Sequence, residues 1–71
     1  MLRKVNIEIE GMKGAKGIVD IQNLLEEIHG VIDVKKNRIG FATILVNQDF
    51  SESYLMNKFQ NHDLYSIKNI K

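Results

Sequence analysis

Seventy-one residues at 44% hydrophobic and 27% charged have ordinary globular composition and suffice for one small domain, spanning residues 1–71. There is no cysteine, which excludes a disulfide framework or a thiolate metal site as reinforcement for the thin core of so short a chain. The net charge of +1 gives no general attraction to nucleic acid or anionic membrane, and no apolar run approaches the roughly 20 residues of a membrane helix.

Val5, Ile7 and Ile9 alternate with Lys4, Asn6, Glu8 and Glu10, the period-2 pattern of a strand with one buried and one wet face. The glycine-rich segment Gly11 to Gly17 breaks that pattern and reads as a loop. From Ile18 the apolar spacing changes to three and four, through Ile21, Leu25 and Ile28, which predicts an amphipathic helix stopped at Gly30. Val31 to Val34 reads as a short strand and Lys35-Lys36-Asn37-Arg38 as a basic hairpin turn. Phe41 to Val46 is the returning strand. Asp49 and Glu52 have the spacing of a capping box, with Ser51 as a rival cap, ahead of a second helix carrying Leu55, Met56 and Phe59. His62-Asp63 closes that helix, and Leu64, Tyr65 and Ile67 predict a last strand.

The order β-α-β-β-α-β, with right-handed crossovers, places both helices on one face of a four-stranded antiparallel sheet. The expected fold class is therefore α+β, a ferredoxin-like βαββαβ sandwich. That fold hosts unrelated functions and settles none of them.

Gly11-Met12-x-Gly14-x-x-Gly17 between a strand and a helix, followed by Gly30-Val31-x-x-Val34, resembles a heavy-metal-associated domain. This superfamily includes small copper chaperones, mercury-binding periplasmic proteins and the soluble modules of metal-pumping ATPases. The resemblance covers nearly the whole chain in element order, but only Gly11-Met12 and Gly30-Val31-x-x-Val34 in sharp motifs. The family's loop, Gly-Met-x-Cys-x-x-Cys, would place its cysteines at Gly14 and Gly17. The Gly-Tyr common after the family's second helix is replaced by Asp63-Leu64-Tyr65. The resemblance implies the fold and a metal-transport ancestry. The family's thiolate chemistry does not carry over, because glycine has no side-chain donor.

Other donors are sparse. His62, with Met12 or Asp63, is the candidate set for weakly bound copper or zinc, since the resemblance places the two loops side by side. His29 lies at the wrong end of its helix. A lone methionine is more often core, and one histidine falls short of the three or four ligands a metal takes. Lys13, Gly14, Lys16 and Gly17 form a candidate anion cradle at a helix start, although the glycine spacing matches no phosphate-loop fingerprint. No nucleophile, base and acid stand at catalytic spacing, and no enzyme activity is expected. On the strand from Phe41 to Val46, Phe41 and Leu45 point away from the core and are candidates for a face that meets a protein partner or a second copy. The expectation is a non-catalytic domain with a degenerate metal loop and no cofactor. It acts by protein contact, with no nucleic-acid or membrane partner, in the cytoplasm, since the amino terminus shows no signal-peptide segment.

Overall fold

The computed structural model describes residues 1–71. Strand β1 (Arg3–Glu10) leads to helix α1 (Gly14–Glu26), then β2 (Val31–Arg38), β3 (Phe41–Val46), helix α2 (Glu52–Gln60) and β4 (Ser66–Ile70). The strands lie in the order β2-β3-β1-β4, every neighbouring pair antiparallel. This is the ferredoxin-like arrangement expected from the periodicities.

Period-2 alternation decides which face is buried. Val5, Ile7 and Ile9 of β1 stand beside Ala42, Ile44 and Val46 of β3, and Val5 opposes Ile44 while Ile7 opposes Ala42. Ile21 and Leu25 of α1 and Leu55 and Phe59 of α2 close over them in one core of 14 side chains, none of them charged. A buried aliphatic side chain of this kind contributes about 1.5–3 kcal/mol by leaving water. At the opposite end from the glycine-rich loop, Lys58 of α2 meets Glu27 at 2.6 Å, just past the end of α1. His29 packs edge-on to Tyr54 with ring centroids 6.0 Å apart.

Several boundaries differ from the sequence reading. Helix α1 begins at Gly14 rather than Ile18, so Gly14 to Gly17 form its first turn, and it ends at Glu26, before Gly30. Strand β2 runs on to Arg38, and the hairpin turn is Ile39-Gly40. Register shifts between Val31 and Asp33 and between Val34 and Lys36 explain the misreading. Each inserts an extra residue, so the inward positions Val31, Val34 and Asn37 fall three apart and the alternation disappears. The inward Asn37 is polar, and its amide donates to the Ile18 carbonyl at 2.8 Å, which fastens α1 to β2.

At α2 the cap is Ser51, whose hydroxyl accepts from the Ser53 amide at 3.3 Å, and Asp49 takes no part. Met56 is exposed, on the outer side of α2. Leu64 also lies in water, ahead of β4, while Tyr65 fills the inward position expected of a strand residue.

Candidate functional site

The glycine-rich segment and the segment after α2 do lie against each other. A side-chain carbon built on Gly11 would stand 1.9 Å from the Leu64 carbonyl oxygen, so only glycine permits this approach. Between the two segments is a shallow cavity of about 320 Å³, lined by Gly11, Lys13, Lys16, Gly17, Asp63, Leu64 and Tyr65.

The positions where a thiolate loop would carry its ligands are not equivalent. Gly14 has φ 60°, in the left-handed region, with open space around its α-carbon. Gly17 is buried in the first turn of α1, and a β-carbon there would lie 3.2 Å from the Met12 α-carbon. Gly14 thus answers a backbone requirement, whereas a side chain at Gly17 would need Met12 to yield by a few tenths of an ångström.

Met12 is buried in the core, and its sulfur accepts from the Gly40 amide at 3.4 Å. That contact ties the loop to the β2–β3 turn and faces the sulfur away from solvent. His62 is half-buried, its Nδ1 accepts from the Leu64 amide at 3.2 Å, and its ring lies 5.1 Å from that of Tyr65. Asp63 is exposed. No group of three or more His, Asp or Glu side chains gathers at ligand spacing anywhere in the chain. These donors do not fit a soft metal, which takes thiolates or several convergent nitrogens.

The polar cluster that does form is one the sequence did not announce. Asp20 accepts from the Lys16 ammonium at 2.7 Å and from the Tyr65 hydroxyl at 2.7 Å. The Lys16 hydrogen bond, then that of Tyr65, holds the Asp20 carboxyl below its usual range. The same contact raises the Lys16 ammonium, and the Tyr65 phenol is raised by its bond to Asp20 and by desolvation. Lys16 and Asp20 lie four apart on α1, but the sequence reading places Lys16 in the loop before the helix. Tyr65 is not legible as a partner either, since 45 residues separate it from Asp20. Of the candidate anion cradle, Lys16 is therefore turned toward Asp20, while Lys13 stands exposed at the N-cap of α1 and gives that end no side-chain cap.

The opposite side of the sheet carries no helix. Pairing places Asp33, Lys36 and Arg38 of β2, Phe41, Thr43 and Leu45 of β3, and Lys4, Asn6 and Glu8 of β1 on this open face. Phe41 is 51% exposed and Leu45 is half-buried. Lys36 and Arg38, read from sequence as part of a turn, are strand residues of this face.

The fold is shared with two solved proteins. Oxidized MerP from Ralstonia metallidurans CH34 superposes with a TM-score of 0.75 at 15% identity, covering 97% of this chain and 100% of MerP. The CsoZ metallochaperone superposes with a TM-score of 0.74 at 16% identity, again over 97% of this chain and 100% of CsoZ. Likeness at this identity is likeness of fold. No protein-family model matches the sequence, and no curated protein matches it. No helix is long and apolar enough to cross a membrane.

Proposed function

We propose that this chain is a non-catalytic interaction domain on the metallochaperone fold, descended from a metal carrier and acting without metal. One observation carries the reading. Where a carrier loop would present two thiolates, this loop has a left-handed glycine in open space and a second glycine pressed against Met12. The neighbouring donors are committed elsewhere, Met12 to Gly40 and His62 Nδ1 to Leu64.

Contact with a protein partner takes place on the open sheet face, where Phe41 supplies an exposed aromatic anchor on a central strand. Buried aromatic anchors of this kind dominate interface energetics once a partner covers them. The reading is tested by anaerobic incubation with copper(I) or zinc(II), removal of free metal by desalting, and metal analysis. The expected retention is far below one metal per chain, and stoichiometric retention would overturn the reading.

A further inference from the structure

The geometry points to a partner of particular chemistry, and we propose that the Arg38–Phe41 end of the open face docks an acidic polypeptide segment built around one aliphatic side chain. This rests on the reading of the open face as the contact surface. A groove of about 250 Å³ crosses that end of the sheet, lined by Lys36, Arg38, Phe41, Thr43, Asn6 and Glu8 among others, with Lys71 at its margin. Its cations Lys36, Arg38 and Lys71 outnumber its single side-chain acid, Glu8. None of the three is in an ion pair, which leaves their charge free for a partner, as is also true of Arg3, Lys4, Lys13 and Lys68 outside the groove.

The side chains in the groove are also arranged for that partner. The Arg38 guanidinium lies 5.9 Å from the centroid of the Phe41 ring, directly across the β2–β3 pair. Such a contact holds the guanidinium fork beside an apolar surface, ready for a bidentate carboxylate whose neighbouring aliphatic side chain covers the rest of the ring. Thr43 and Asn6 already bond each other at 2.7 Å and form a polar floor between the charged rows. Unpaired positive charge around an exposed apolar anchor is complementary to an acidic segment and accelerates its encounter.

A nucleic acid strand fits less well. Binding single strands on such a sheet relies on stacking, and the outward side chains Lys4, Asn6 and Glu8 of β1 add no second aromatic. Arg38 covers one face of the only ring in the groove, which leaves a single face for a base to stack on.

The test is an amide NMR titration of the ¹⁵N-labelled chain with a ten-residue peptide of glutamates around a central leucine. A lysine version of the peptide and a deca-uridylate serve as comparisons. Saturable shifts at Lys36, Arg38, Phe41 and Thr43 are expected with the acidic peptide. Affinity should fall at least about tenfold in Lys36→Glu/Arg38→Glu, and again when salt is raised about tenfold. Phe41→Ala should weaken binding without altering the salt dependence, and circular dichroism confirms that each variant is folded. Absence of shifts up to about 1 mM peptide would overturn the proposal, as would equal binding of the lysine peptide or tighter binding of the uridylate. If the peptide is silent and metal is also not retained, only the acidic partner is lost. If metal is retained stoichiometrically, the underlying reading of the domain fails as well.

Discussion

The Tyr65 hydroxyl donates to the Asp20 carboxylate across 2.7 Å, joining the residue before β4 to the middle of α1. The ring of Tyr65 is buried while its hydroxyl reaches a half-exposed acid, so one side chain serves both core and surface. With Gly11 pressed on the Leu64 carbonyl, this bond holds α1 and the glycine-rich loop against the segment after α2.

The bond has a pH signature. The Asp20 carboxyl is held below its usual range, first by Lys16 and then by Tyr65, so the folded state favours the ionised form. The resulting stabilisation is complete above the unfolded carboxylate value of about 3.9 and fades as pH falls through the lower folded value. Asp20→Asn is expected to lower Tm at neutral pH, with the gap to the parent narrowing below about pH 4. Thermal melts across the acid range measure it, and a gap that stays constant with pH would assign the loss to something other than ionisation.

Two glycines of the loop should differ sharply when replaced. Gly14→Ala meets only backbone strain at φ 60°, since nothing lies within 4 Å, and is expected to cost about 1–2 kcal/mol. Gly11→Ala combines φ 100° with a carbon 1.9 Å from the Leu64 oxygen and is expected to cost at least about 3 kcal/mol. Urea unfolding of both variants gives the comparison. Equal midpoints would mean that the Gly11–Leu64 approach is not retained in solution.

The start of α2 discriminates between the two candidate caps. Ser51→Ala should cost about 1 kcal/mol, because the Ser53 amide loses its acceptor. Asp49→Ala should stay within about 0.5 kcal/mol, as an exposed side chain outside the helix. The reverse order in denaturant midpoints would restore the Asp49–Glu52 capping box.

Opposite faces of β3 should respond in opposite ways. Ile44 is fully buried, and Ile44→Ala is expected to cost about 2–5 kcal/mol, much of the stability available to a domain of this size. Phe41→Asp should change stability by no more than about 1 kcal/mol while abolishing contact through the open face. A global loss of stability in Phe41→Asp would make that ring a core residue and remove it from the contact surface.

The elements with undisturbed periodicity were legible before the structure. Val5, Ile7 and Ile9 announced β1, and Ile21 and Leu25 the buried side of α1, because each repeats at the spacing of its element. Strand β2 was half hidden, since two bulges replace its alternation with a spacing of three and leave a polar Asn37 pointing inward. The start of α1 was hidden for a different reason. Its first turn contains Gly14 and Gly17, which propensity assigns to loops, and the close approach of Gly17 to Met12 is visible only in three dimensions. At the site, sequence could show that no cysteine is present. It could not show that Tyr65 reaches Asp20, or that Lys36 and Arg38 share a face with Phe41, because these relationships depend on long-range packing and on the bulged register of β2.

The measurement closest to the central claim is a backbone amide NMR titration with copper(I) under anaerobic conditions, repeated with zinc(II) and with phosphate. The expected result is that the amides of Met12 to Gly17 and of His62 remain unmoved by either metal and by phosphate. Saturable metal-induced shifts at Met12, Gly17 and His62 together would contradict the metal-independent reading and make the domain a carrier with non-thiolate ligands. Phosphate shifts confined to Gly11 to Gly17 would instead assign the loop to anion binding.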